Sequence, residues 1–189
     1  EKPGWDFNAV RAKGQAEWET ELSRITITAD TGIRQNFYTA LYHAFINPTV
    51  YMDVNNEYRG LDQGTHKAAG FTNYTTFSLW DTYRALHPMF NIIQPKRNAD
   101  MISSMLAHYD QSVHKMLPVW SNSANENWCM IGYHSVSVIA DAVIKDVYAG
   151  DPGRALDACI TTAKHESYGG LGYYMAMGYV PEDKSNASV

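Results

Sequence analysis

The sequence predicts a mainly α-helical protein carrying one small β-hairpin. Three observations carry this. Apolar residues recur at helical spacing in six segments, Asp and Pro mark several of their starts, and the connections between them alternate between short and long.

Asn8 through Ser23 reads as a first helix, with Val10, Trp18, Leu22 and Ile25 near one face and Glu17, Glu19 and Glu21 elsewhere. Asp30 is the N-cap of a second, in which Ile33, Phe37, Leu41, Ala44 and Phe45 share a face; Asn47-Pro48 ends it. Thr49 to Val54 and Glu57 to Leu61 flank Asn55-Asn56, a pair that tolerates the positive φ of a tight turn, so a hairpin is expected there. From Tyr74 to His87 a third helix aligns Trp80, Tyr83, Arg84 and His87, and Pro88 bends or ends it. Pro95 opens a fourth, with Ile102, Met105, Leu106 and Tyr109 buried. A fifth runs from about Met130 to Tyr148, turning Tyr133, Val136, Ala140, Val143, Ile144 and Val147 inward. Asp151-Pro152 starts a sixth, which reaches Lys164 and buries Leu156, Cys159, Ile160 and Ala163. The last segment, Tyr168 to Val180, is rich in Gly, Tyr and Met.

In an antiparallel helical array, alternate loops lie at opposite ends, so the long loops share one face. That face should gather Asp53, Asp62, Glu126, Trp128, Glu166 and Tyr173, in the kind of loop cluster where binding and catalysis sit. Three helical pairs of this kind look like half of a twelve-helix toroid; a compact bundle satisfies the same spacing.

The chain has 189 residues, enough for one folded unit with a core. It holds 13 Tyr, 5 Trp and 6 Phe against only 19% charged residues, so much of the aromatic surface must line a core or a ligand cleft. A net charge of −5 without a basic cluster argues against nucleic acid. No apolar run reaches the roughly 20 residues of a membrane span, and the start shows no signal-peptide pattern. Cys129 and Cys159 fit neither a disulfide framework nor a zinc pattern and read as buried free thiols on helical faces.

The stretch from Leu117 to Ser135 draws the chemistry together. Glu126 stands on a polar loop between Trp120 and Trp128, a setting in which desolvation would favour a protonated carboxyl and the indoles would suit sugar faces. As a general acid, Glu126 would lose orders of magnitude in turnover on replacement by Gln. The competing reading makes the tryptophans core residues and Glu126 a solvated or helix-terminal charge. Asp81 and Arg84, three apart on a helix, are either a structural ion pair or a sugar-binding pair in which Asp81 orients Arg84. Trp80 and Trp128 are candidate sugar platforms, and His134 is a candidate pocket wall. Asp53, Glu57 and Asp62 could meet a cation through oxygen, but their spacing is not an EF-hand; no metal site is assigned.

Three long motifs resemble one family. Phe37-Tyr38-Thr39-Ala40-Leu41-Tyr42-His43, the run from Phe77 through Trp80-Asp81-Thr82-Tyr83-Arg84 to Pro88, and Asn125-Glu126-Asn127-Trp128 through His134 are similar to the catalytic domain of family 92 glycoside hydrolases, the calcium-dependent exo-acting α-mannosidases. The likeness runs from Trp5 to Pro181. It implies part of an (α/α)6 toroid normally preceded by a β-sandwich, a mannose-containing glycan as substrate, and an inverting mechanism with Glu126 at the position of the proton donor. Inversion needs a second carboxylate about 6.5–9.5 Å away. The resemblance places that base and most calcium ligands farther toward the C-terminus, so this chain reads as a central piece of an enzyme, incomplete without the rest. The segment near Lys184-Ser185 lacks the His-Glu pair of α-1,2-directed members, leaving linkage open. A secreted or periplasmic location follows only from the family's glycan-degrading habit. Two other classes fit the residues: a carbohydrate-binding or scaffold module on the same helical frame, and a hydrolase or lyase acting on other sugars, for which Arg59 and Arg84 are the candidate uronate contacts.

Overall fold

The computed structural model describes residues 4–184. The structure is mainly helical with small sheets, and the described residues form two compact units, 4–46 and 47–184.

The first unit is a helical hairpin. Asp6 starts α1 (Phe7–Leu22) by accepting from the N–H groups of Asn8 and Ala9 at 2.9 and 3.2 Å. Asp30 starts α2 (Thr31–Ile46), accepting from Ile33 N at 3.0 Å, as its position before an apolar run predicts. Trp18 of α1 meets Tyr42 of α2 with ring centroids 4.5 Å apart. The face expected to carry Val10, Trp18, Leu22 and Ile25 is not a core face: Val10 and Trp18 are exposed, and the helix buries no residue. Two helices enclose little, and apolar spacing marks a face without saying what covers it. In α2, Leu41 and Phe45 are buried as expected, whereas Ile33 is exposed.

The second unit opens with short strands, β1 (Thr49–Val50), β2 (Glu57–Arg59), β3 (Thr65–Lys67), β4 (Tyr74–Thr75) and β5 (Phe77–Ser78). The hairpin expected across Asn55-Asn56 is replaced. Asn56 does take φ 66°, but β1 pairs with β4 and β2 pairs with β3 across the Gly60–Gly64 turn. A side chain at Gly60 would lie 2.5 Å from His66 and 2.8 Å from Asp62 and Gln111, so the turn forms where glycine lets the chain close.

The third helix is also corrected. Tyr74 to Ser78 is extended, because β4 pairs with β1 and β5 with β6 (Trp120–Asn122), and Thr76 between them has φ 65°. Only Leu79–Thr82 (α3) is helical before the chain turns and restarts at α4 (Leu86–Ile93). Pro88 therefore lies in the first turn of α4, where its missing N–H is not needed. His87 becomes core while Trp80 and Arg84 remain exposed, so the expected stripe is split between two helices.

Helix α5 (Pro95–Gln111) begins at Pro95 as predicted and packs on α4, α6 (Ser135–Ile144) and α7 (Pro152–Ala163). Its Met101, Ile102, Met105 and Leu106 meet a core that includes Phe90, Val138, Ile139, Ala142, Ala155 and Ala158. Each large apolar side chain buried in it contributes roughly 1.5–3 kcal/mol. Asp151 caps α7 through Gly153 N at 2.8 Å. The inward faces of α6 and α7 are rotated from expectation: α6 buries Ser135, Val138, Ile139 and Ala142, and leaves Ile144 exposed. In α7, Ala155, Ala158, Cys159 and Thr162 are buried and Leu156 and Ile160 are exposed. Small residues face in because closely packed helices leave no room for larger ones. Of the two thiols, Cys159 is buried and pushed up to about 11, whereas Cys129 is exposed on a loop.

A buried polar chain crosses this core. His87 Nδ1 donates to Asn98 Oδ1 at 2.8 Å, Asn98 Nδ2 to Asn91 Oδ1 at 2.6 Å, and Asn91 Nδ2 to Asp141 Oδ2 at 2.8 Å; Lys145 neutralises Asp141 at the surface. Burial holds His87 and His108 at about 4, below the ordinary imidazole value of 6.5. Between those values the unfolded chain binds more protons than the folded one, so stability falls as pH drops through the window and levels off below it. The expected loss is about 3 kcal/mol per histidine. Urea unfolding near neutrality and near pH 4 measures it, and removing either imidazole should flatten the dependence.

Candidate functional site

The Glu126 loop is a hairpin. β6 pairs with β7 (Asn125–Glu126) in register Ser121 to Glu126, and β5 joins on the other edge through Phe77 and Ser121. Ser123 at φ 53° supplies the turn. The chain then descends through Trp128, Met130 and Gly132, with φ of 54°, 68° and 82°, into α6. Positive φ at bulky Trp128 and Met130 is uncommon and persists only where the surroundings hold it.

This descent forms one wall of a cleft of about 550 Å³. Trp80, Tyr83 and Arg84 line it from the α3 side, Trp128 and Met130 to His134 from the descent, and Tyr168, Gly169, Leu171 and Tyr174 from the segment containing α8 (Leu171–Met177). His134 stacks on Tyr83 with centroids 4.2 Å apart and planes 5° from parallel. Arg84 Nε donates to Tyr83 Oη at 2.7 Å and its guanidinium lies 5.3 Å from that ring. Trp128 packs between His114 and Tyr168, at 5.5 and 5.6 Å. Tyr168 Oη donates to Gly132 O at 3.1 Å; burial first, and the charge of Glu126 second, push its phenol up to about 12.

Four of the six sequence-predicted residues thus meet in one cleft: Trp80, Arg84, Trp128 and His134. Asp81 does not line it. It accepts from Ser78 Oγ, and among the described residues it forms no ion pair with Arg84, so the expected Asp81 and Arg84 pairing is replaced by Arg84 on Tyr83. Glu126 does not line it either. Its side chain is 4% exposed, with Oε1 accepting from Trp120 N at 2.9 Å and Trp128 N at 3.0 Å, and Oε2 accepting from Val119 N at 3.0 Å. His108 Nε2 stands 3.7 Å from Oε2, too far for a hydrogen bond, and burial keeps that imidazole neutral, so the two are not an ion pair near pH 7.

Burial lowers His134 from its ordinary value, Arg84 lowers it further, and a hydrogen bond with the Ile131 backbone opposes both. The ring therefore lines the cleft neutral, with Nε2 buried and without a hydrogen-bond partner among the described residues. A Cβ on Gly132 would lie 2.6 Å from that nitrogen, at a φ that L residues avoid. Gly132→Ala should displace the imidazole and destabilise the fold by about 1–2 kcal/mol; thermal unfolding together with ligand affinity checks both effects.

Of the acids expected at the same end, Asp62 bonds His66 at 2.9 Å in a separate cleft, and Asp53 and Glu57 form the turn beside Asn55. Calcium takes about six to eight oxygen ligands. Among the described residues no three His, Cys, Asp or Glu side chains converge on a metal position, and the charged group lining the cleft is Arg84. The described residues do not fit a calcium site.

Sequence reasoning missed Tyr83 and Tyr168 as walls. Tyr83 shared the aromatic face singled out around Trp80, and Tyr168 opened the Gly- and Tyr-rich segment, so composition carried a signal for both. Of the segment near Lys184-Ser185, which lacks a His-Glu pair, Ser185 lies outside the described residues; the one such pair in the sequence is His165-Glu166, shortly before Tyr168.

Residues 1–189 match the glycosyl hydrolase family 92 catalytic domain. The structure resembles a family GH92 alpha-mannosidase of Bacteroides thetaiotaomicron, at 56% identity and TM-score 0.93, covering 96% of this chain and 25% of that one. The same relative in complex with mannoimidazole matches equally, at 56% identity and TM-score 0.93, over 96% of this chain and 24% of that one. A family GH92 inverting mannosidase of Bacteroides thetaiotaomicron VPI-5482 matches at 30% identity and TM-score 0.85, over 96% of this chain and 26% of that one. The chain thus spans about a quarter of the length of these relatives. No curated protein matches it. No helix among the described residues is long and apolar enough to cross a membrane.

Proposed function

The chain belongs to glycosyl hydrolase family 92, and on that premise we propose that it supplies one wall of the sugar-binding cleft of an α-mannosidase that removes terminal α-linked mannose from glycans. The observation that carries this reading is the aromatic cleft with a single fixed cation. Trp80 and Trp128 offer flat apolar surfaces, Tyr83 anchors Arg84, and the guanidinium donates to sugar hydroxyls without an ion-pair partner to compete. His134, neutral and stacked on Tyr83, completes the aromatic wall, with its Nε2 buried against Gly132 and not presented to a sugar. Mannoimidazole bound to a relative supports a mannose-shaped ligand, and the inverting relative supports an inverting reaction.

Calcium dependence is part of the proposal, with the ion held by sequence outside this chain; no step assigned to these residues runs through it. The supply of the proton and of the activated water likewise falls to groups beyond those lining this cleft. A carbohydrate-binding or scaffold module is the second reading, favoured by one observation: among the described residues no carboxylate lines the cleft.

The test is mannose release from α-mannobiosides of defined linkage by the full-length polypeptide, with and without a chelator. Release that the chelator abolishes supports the whole reading and identifies the linkage. Release that survives chelation removes calcium from it. No release by folded protein that still binds mannosides selects the binding module.

A further inference from the structure

We infer that Glu126 is a positioning residue, whose carboxylate holds Trp128 at the wall of the cleft and does not itself reach the sugar. The inference rests on the mannoside-binding role proposed for that cleft. Three backbone donors converge on the carboxylate from both sides of the hairpin: Val119 and Trp120 where β6 begins, and Trp128 just after β7 ends. Both oxygens are thereby occupied as acceptors of backbone hydrogen bonds, within the hairpin and outside the residues that line the cleft.

The contact with Trp128 is the consequential one. Trp128 sits at φ 54°, a conformation unfavourable for a bulky residue, and its N–H is satisfied by Oε1 at 3.0 Å. That bond fixes the direction in which the indole leaves the backbone, between His114 and Tyr168. Asn127 adds a second tie, donating from N and Nδ2 to Trp120 O at 3.2 Å each. Below lies neutral His108, which offers the carboxylate no competing charge near pH 7.

Positioning and acid catalysis predict opposite responses to the same replacements in the full-length enzyme. Glu126→Ala removes the acceptor of all three hydrogen bonds and should raise KM for an α-mannoside about tenfold, with kcat within about threefold of wild type. Glu126→Gln keeps one oxygen, which can occupy the Oε1 place and serve Trp120 and Trp128, while its NH2 replaces Oε2 and gives up the bond from Val119 N; the tie to Trp128 remains, so both constants should stay within about threefold. A proton donor would instead lose kcat by orders of magnitude in both variants, with recovery on an activated aryl mannoside whose leaving group needs no proton. In a Trp128→Ala background, Glu126→Ala should raise KM no further, because the carboxylate acts through that ring.

A readout independent of activity separates this inference from the proposed function. The emission of Trp128, taken as wild type minus Trp128→Phe, should shift in Glu126→Ala and stay put in Glu126→Gln. Should the wild type prove inert on every mannoside, the proposed function fails while this shift still decides the positioning. An unshifted spectrum in folded Glu126→Ala overturns the inference, as does additivity with Trp128→Ala or a folded Glu126→Gln without turnover. If Glu126→Ala does not fold, the kinetics of Glu126→Gln alone decide between the roles.

Discussion

Asn98→Ala is expected to destabilise the protein by about 3–4 kcal/mol, several times the roughly 0.5 kcal/mol of an ordinary surface substitution. Asn98 is fully buried and is the middle of a directional chain, accepting from His87 and donating to Asn91. Its loss leaves a buried imidazole N–H and a buried amide oxygen unpaired at once, and adds a small cavity between α4 and α5. The measurement is the urea midpoint of the full-length protein at neutral pH, with the slope checked for constancy. Asn98→Asp makes the sharper comparison. Its carboxylate still accepts from His87 but cannot donate to Asn91 Oδ1, so it should also be destabilising, and progressively less so as acid protonates either partner. A neutral result for both variants would mean that the chain of amides is incidental to the packing of α4 on α5.

Arg84→Ala should lower kcat/KM on α-mannosides about 10- to 150-fold, the range for losing a hydrogen bond to a charged donor of roughly 1.5–3 kcal/mol. The size of the effect follows from how the guanidinium is held. Its Nε is used by Tyr83 Oη and its central carbon lies 5.3 Å from the centre of the same ring, so the remaining donors are presented in a fixed direction without an acid to occupy them. Arg84→Lys should recover little, because an ammonium cannot reproduce a planar fork resting on a ring. Stability should hardly change, since the side chain is exposed and forms no ion pair among the described residues, its one hydrogen bond being to Tyr83. Unaltered kinetics for Arg84→Ala would take the cation out of sugar recognition and weaken the reading of the cleft as a mannose site.

Much of this protein was legible in the residues. Asp30 and Asp151 before apolar runs, and Pro95 and Pro152 at first turns, located helix starts, because capping and proline act through neighbours in sequence. The alternation of short and long connections held too: α4 and α5 are separated by Gln94 alone, whereas the Glu126 hairpin fills the gap between α5 and α6. The motifs around Trp80 and Trp128 pointed to the family and to two walls of the cleft.

What tertiary structure alone decided was partnership. Tyr74 to Ser78 has helical periodicity yet is extended, since β1 and β6, distant in the chain, offer it hydrogen bonds. Leu156 and Ile144 are as apolar as their neighbours but face outward, because close helix packing admits Ala155, Ala158 and Ala142 instead. Glu126 shows the limit most plainly. A lone acid between two tryptophans carries the composition of a general acid, and the sequence determined that a carboxylate would stand there. Whether its oxygens met a substrate or the backbone depended on the hairpin that brings Val119, Trp120 and Trp128 around it, an arrangement set by strand pairing across space and not by the order of residues.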